Sequence, residues 1–347
     1  MCAIAWTGDS VIVSTTDAAG NVNYWWQPKD EQDWANQLVG APLFTTGKFN
    51  IYREPTMAWT GNAVIIAATD FLGNLDYWWQ AKNTTPWNLQ HVAVNATDGI
   101  SHVDPAMAWT GNSATLIASD TSVGALTYWW QAQNTAPWNK QVVGAASQPA
   151  IAWTGQSVVV TAVDSAGNLK YWWQSPEKTP LNLPQTVASG GGGVTYAQPS
   201  IFWTGAAVVI TAVDSAGSLH YWWQPKGGSG WNEQLVAGAN GSVAYSRPSI
   251  AWTGNAVVIA AVDSAGNLHY WWQPQGGASW NPQLVSAGTE NYIKYDYPAI
   301  AWADGSVIIA AKSFNNEAEL HTVNYWWQPQ GESTWRPQTL ATYAPLG

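Results

Sequence analysis

The chain has 347 residues, 22 acidic against 12 basic side chains, a formal net charge of −10 at pH 7, and 27 tryptophans. Arg53, Arg247 and Arg336 are its only arginines, so it lacks the basic footprint that neutralises a phosphate backbone, and nucleic acid is excluded as a partner class. Cys2 is the single cysteine, which rules out internal disulfides and cysteine metal clusters, and no apolar run is long enough to span a membrane.

From the N-terminus, Ala3-Ile4-Ala5-Trp6 begins a pattern that recurs to the end of the chain. The basic region and apolar run of a signal peptide do not precede it, so the expectation is cytoplasmic synthesis, with release by a non-classical route left open. The opening Trp returns as Trp59, Trp109, Trp153, Trp203, Trp252 and Trp302. A Tyr-Trp-Trp-Gln box stands at 24–27, 77–80, 128–131, 171–174, 221–224, 270–273 and 325–328. A third Trp follows in six copies, at Trp34, Trp87, Trp138, Trp231, Trp280 and Trp335, so all 27 tryptophans belong to the repeat. A period of about 49 residues running end to end argues for one domain over 1–347 rather than two.

The sixth copy shows the elements most plainly. A short apolar run ends at Trp252, Thr253-Gly254-Asn255 reads as a turn, and Ala256–Val262 is a β-branched strand. Asp263-Ser264-Ala265-Gly266-Asn267 is a hairpin signal, Leu268–Gln273 a third strand, Pro274–Ser279 a Gly/Pro loop, and Asn281–Val285 a fourth strand. Four antiparallel strands without a 3.6-residue period make a propeller blade. The prediction is an all-β, seven-bladed β-propeller, four antiparallel strands per blade, closed without a swapped strand. Its blades cover about 3–40, 55–94, 105–143, 149–187, 199–236, 248–285 and 298–340. Copies depart from the plan at the joining stretch Ala41–Arg53, at Leu181 in place of the third Trp, at Gly190–Gly193, and at an insertion over Phe314–His321.

Strand order sets which residues meet. The Asp hairpin and the rim-to-hub crossing share one end of each blade, the top; the Trp-Thr-Gly turn and the Gly/Pro loop share the bottom. At the top, Tyr52, Tyr196, Tyr245 and Tyr295 precede the lead-in proline by three residues, with His102 and Ala146 in copies three and four. Asp17, Asp70, Asp120, Asp164, Asp214 and Asp263 end the second strand, with Ser313 in copy seven. The third strand puts His269, Trp271 and Gln273 on one face and Leu268, Tyr270 and Trp272 on the other.

Two readings of the aromatics stand side by side. Wedge-shaped gaps between blades need large flat side chains, each burying on the order of 150–250 Å². Alternatively an indole face stacks on the C–H face of a sugar while a nearby carboxylate accepts hydrogen bonds from its hydroxyls. The candidate ligand-binding set is the box's first Trp in Trp25, Trp78, Trp129, Trp222 and Trp271; Asp17, Asp70, Asp120, Asp214 and Asp263; Tyr52, Tyr196, Tyr245 and Tyr295; and His220 and His269. For the aspartates, capping the amides of their own turns competes with contact to a ligand.

An enzyme is not expected, because catalysis needs a unique convergence of groups and here the acids are spread one per blade. The histidines lack metal-ligand spacing, so neither a metal nor a cofactor is expected.

The order Trp-Thr-Gly, β-branched strand, Asp-x-x-Gly, Leu-x-Tyr-Trp-Trp, loop, Trp, short strand resembles the blade of PLL-type seven-bladed propeller lectins, and more distantly tachylectin and tectonin repeats, over the whole chain. WD40 and kelch signatures are absent. The resemblance implies a multivalent lectin with glycans as partners, bound in pockets between blades, with fucose, galactose or O-methylated sugars as ligands. The alternative is a protein-interaction propeller without sugar binding. Copies five and six are expected to bind best and copies four and seven least; the bottom loops around Trp231 and Trp280 are the fallback site. The C-terminal Thr342-Tyr343-Ala344-Pro345 echoes a lead-in, so Tyr343 is expected to stand beside Asp17, carried there by a tail lying over copy one.

Overall fold

In the computed structural model, described for residues 1–45, 48–132, 137–174, 180–289 and 293–344, seven four-stranded antiparallel sheets follow one another as the blades of a propeller. Blade six runs from hub to rim as Tyr245–Trp252, Ala256–Asp263, Leu268–Pro274 and Asn281–Ser286. Additions to the plan are small: a hairpin of Leu43–Thr45 with Lys48–Asn50 between blades one and two, and a one-turn helix, Asn95–Asp98.

Each turn has its chemistry. At the bottom, the Thr253 hydroxyl accepts from the amide of Ala256 at 3.0 Å and donates to Asn255 Oδ1 at 2.8 Å, closing the turn on itself. At the top, Gly266 has φ 86°, and a Cβ there would stand 2.8 Å from the backbone of Lys294. Only glycine lets the strand entering the next blade come this close, and its carbonyl then accepts the Tyr295 amide at 3.0 Å. The same stitch joins Tyr52 to Gly20, Tyr196 to Gly167 and Tyr245 to Gly217.

The core lies between blades, not within one. Because alternate residues point to opposite faces, Tyr24 packs forward with Met57, Val64 and Trp78 of blade two, while Trp25 packs backward with Ile308, Ala310 and Tyr325 of blade seven. Six of the seven box tyrosines meet the third Trp of the next blade edge-on, as Tyr24 with Trp87, Tyr221 with Trp280 and Tyr270 with Trp335, whereas Tyr128 packs in one cluster with Leu181.

The seventh interface is built like the rest, so the ring closes without a swapped strand. Tyr325 meets Trp34 at 5.0 Å and 71°, and Trp34 Nε1 donates to Gln338 Oε1 at 2.9 Å. The buried Lys312 of blade seven adds bonds to the carbonyl and hydroxyl of Thr16 in blade one. Tyr343 packs in the cluster holding Cys2 and Trp25, where a lead-in tyrosine would sit. It arrives, however, on the fourth strand of blade seven, paired with His321, and not on a tail crossing blade one. Residues 345–347 lie outside the described residues.

At the hub, the residue before each lead-in proline is left-handed: Glu54, Asp104, Gln148, Gln198, Arg247 and Tyr297 have φ between 51° and 55°. Such values are uncommon without glycine and mark the bulge at which each first strand slips register. At four of these positions, Asp104, Gln148, Gln198 and Arg247, the amide bonds to a side chain of the preceding blade. Asp104 N–H donates to Glu54 Oε2 at 2.9 Å, Gln198 N–H to Gln148 Oε1 at 2.7 Å, and Arg247 N–H to Gln198 Oε1 at 2.7 Å.

One link of this latch carries two acids. Burial and the adjacent Glu54 carboxylate push Asp104 up to about 6. A folded-state value above the unfolded one of about 3.9 means the contribution is full below the unfolded value and lost as pH rises through about 6. We expect the thermal midpoint to fall by about 1–3 °C between pH 5 and 7.5 in wild type relative to Asp104→Asn. Calorimetric scans across that range check it; parallel curves for the two proteins would refute the raised value of Asp104.

Candidate functional site

The residues singled out at the top do come together, but as a packed set. Trp25, Trp78 and Trp129 are 2% exposed, Trp222 1% and Trp271 3%, so no indole face among them is open to a ligand. This corrects the expectation that the first Trp of the box forms a binding platform. The neighbouring blade covers one side, and the lead-in aromatic caps the rest. Tyr245 stands edge-on to Trp271 at 5.2 Å, Tyr196 to Trp222 at 5.3 Å, Tyr52 to Trp78 at 5.0 Å, and Tyr295 to Trp326 at 5.4 Å.

The aspartates serve their own hairpins. Asp263 Oδ1 accepts from the amides of Ala265 and Asn267, both at 2.9 Å, and Oδ2 from Asn267 and His269, both at 2.8 Å. Burial pushes the Asp263 carboxyl up, but the bonds from Asn267 and His269 outweigh it and hold the group below the usual carboxylate range. Asp214 repeats this with Ala216, Ser218 and His220, whose other ring nitrogen meets Glu233. Asp17, Asp70 and Asp120 accept from Asn21, Asn74 and Ser122. Each carboxylate therefore has partners of its own before any ligand arrives.

One open cavity, about 460 Å³, lies at the hub among the lead-in residues Glu54, Asp104, Gln148, Gln198, Arg247 and Tyr297; the others lie at the bottom, between blades. The cleft between blades six and seven, about 720 Å³, is lined by Thr253, Asn255, Tyr270, Trp272 and Gln283 from one side and Trp302, Gln328 and Gln330 from the other. The same positions line the cleft between blades one and two, with Trp26 facing Trp59, in about 400 Å³. Trp327 and Trp6 do so between blades seven and one in about 420 Å³, and Trp173 and Trp203 between blades four and five in about 170 Å³.

Each cleft thus presents two half-buried indoles, the box's second Trp and the next blade's opening Trp. The box tyrosine stacks on the former, as Tyr270 on Trp272 at 5.7 Å and 17°, so one face is fixed and the exposed remainder lines the cleft. The box glutamine forms the inner wall: Gln328 Nε2 donates to Gln283 Oε1 at 3.1 Å, Gln80 to Gln37 at 2.8 Å, and Gln273 to Gln234 at 2.9 Å. Aromatic faces, primary amides and hydroxyls are the groups on offer. Among the described residues no group of three or more His, Cys, Asp or Glu is placed to hold a metal.

Sequence reasoning passed over Trp272 and Trp302 as wedge packing. A signal for them existed in the coincidence of the Thr-Gly turn, the box glutamine and the Gly/Pro loop at one end of the blade.

No protein-family description matches the chain, and no curated relative does. Solved structures do. Aleuria aurantia lectin, as a mutant in complex with Fucα1-6GlcNAc, matches with a TM-score of 0.52 and 11% identity, over 99% of this chain and 95% of that one. A mutant of AofleA from Arthrobotrys oligospora matches with a TM-score of 0.51 and 12% identity, over 84% and 88%. A prolyl endopeptidase matches with a TM-score of 0.61 and 10% identity, over 99% of this chain but 50% of that one. At these identities the likeness is one of fold alone, and a fold by itself does not fix a function.

Proposed function

We propose that the protein is a multivalent lectin that binds glycans in the bottom clefts between its blades. The observation that carries this reading is the repetition of one constellation, two half-buried indoles beside glutamine side chains, in four described clefts, with a Thr turn in three of them and Ala303 in its place between blades seven and one. The paired aromatic faces suit the apolar faces of fucose, galactose or O-methylated sugars, and the amides suit their hydroxyls. Shallow, separate sites bind weakly one by one and gain about 10²–10⁴-fold together on a multivalent surface. The propeller of a lectin crystallised with a fucosylated disaccharide lends support at the level of architecture.

A glycan array probed with the intact protein tests the reading. We expect signals for neutral glycans that fall when a free monosaccharide competes. Silence across the array would overturn it and favour the second reading, a protein-interaction propeller. That reading draws on Leu235 and Leu284, about half exposed on the outer strands of adjacent blades.

A further inference from the structure

The clefts share their aromatics but differ in two residues that face each other across the mouth. One is contributed by the turn of the first blade, the other by the second residue after the box in the next. Between blades one and two they are Asp9 and Lys82, and between blades seven and one Asp304 and Lys29; both pairs are joined as ion pairs, the second at 3.0 Å. Lys82 holds the Asp9 carboxyl below its usual range, as a charge partner does. Between blades six and seven the two residues are Asn255 and Gln330, both uncharged, and Glu332 of the same lining is paired with Arg336. Between blades four and five they are Gln156 and Lys226.

Lys226 is therefore the odd one. It occupies the position of Lys82 and Lys29, in a cleft lined by Trp173, Trp203 and Gln224, but the turn opposite supplies an amide where those clefts supply a carboxylate. Among the described residues it makes no ion pair. The molecule carries a formal charge of −10, which disfavours anionic ligands in general, so a cation left without a carboxylate beside two indoles is a local exception.

Resting on the lectin reading, we propose that the cleft between blades four and five takes a carboxylate-bearing sugar, such as a uronic acid, whose carboxylate occupies the place that Asp9 and Asp304 hold beside their lysines. The ring stacks on the indoles, Gln224 and Gln156 bond its hydroxyls, and the Lys226 ammonium donates to the carboxylate. The clasped clefts, whose lysines already have carboxylate partners, and the cleft between blades six and seven, which has Gln330 in place of the lysine, take uncharged sugars. The seven-fold repeat then carries two specificities, set by one pair of positions.

Calorimetric titrations of the intact protein with methyl β-glucuronide and methyl β-glucoside, at about 0.15 M salt so that long-range repulsion is screened, separate the outcomes. Wild type should bind the glucuronide, and Lys226→Gln should weaken it about tenfold, the loss of one charge-assisted contact, while glucoside binding is unchanged. Gln156→Asp should do the same by building the clasp seen in the other clefts, without removing the lysine. Glucuronide affinity unchanged in both variants would overturn the proposal. Wild type that binds glucoside but not glucuronide would overturn it and leave the lectin reading standing; failure to bind either sugar would overturn it as well, and the glycan array then decides the lectin reading.

Discussion

Trp222→Ala is expected to lower the unfolding free energy by about 3–5 kcal/mol, among the largest effects of any single substitution in this chain. The indole is 1% exposed and packs with Val159, Ile201, Ile210 and Ala212 at the interface of blades four and five. Tyr196 meets it edge-on and His220 stacks on it at 5.5 Å, so alanine would leave a cavity walled by groups that cannot follow. Among the described residues its Nε1 has no hydrogen-bond partner, so the loss comes from apolar transfer and the cavity and not from a broken bond. Trp223→Ala, one residue on but half-buried, should cost much less. Urea unfolding of the two variants followed by circular dichroism checks the contrast; equal midpoints would mean that the packing account is wrong.

The second large effect is functional. Trp272→Ala or Trp302→Ala should weaken the cleft between blades six and seven at least about tenfold for a neutral monosaccharide, because each removes one of the two stacking faces. The other clefts keep their own pairs, so the loss should read as one site fewer in a calorimetric titration. Binding to a multivalent glycan surface should fall by more than that single site suggests, since avidity depends on the number of sites engaged together. An unchanged stoichiometry in both variants would move the ligand elsewhere on the molecule. Trp271→Ala is the control with the opposite profile, its principal cost being stability.

The number of blades, the four strands in each and the chemistry of every turn were legible in the sequence. They depend on local rules: alternation of side chains along Leu268–Pro274, the self-closing Thr253 turn, and the glycine that Gly266 must be. Repetition made those rules readable, since a Thr-Gly turn stated six times cannot be chance. The aspartates' competing roles were legible too, and the hairpin amides decided between them.

Other features were settled only by one blade lying against the next. Alternation places Trp271 and Trp272 on opposite faces, but both faces of that strand are interfaces, so sequence alone does not say which indole is sealed. The height of each residue in the wedge decides it. Trp271 lies under the Tyr245 cap, whereas Trp272 stands where the wedge opens beside the loop of blade seven. The hub latch left no sequence signal either, because Glu54, Asp104, Gln148, Gln198, Arg247 and Tyr297 share no chemistry. What they share is a left-handed backbone imposed by the bulge before proline, and the preceding blade supplies the acceptor for the amides of Asp104, Gln198 and Arg247.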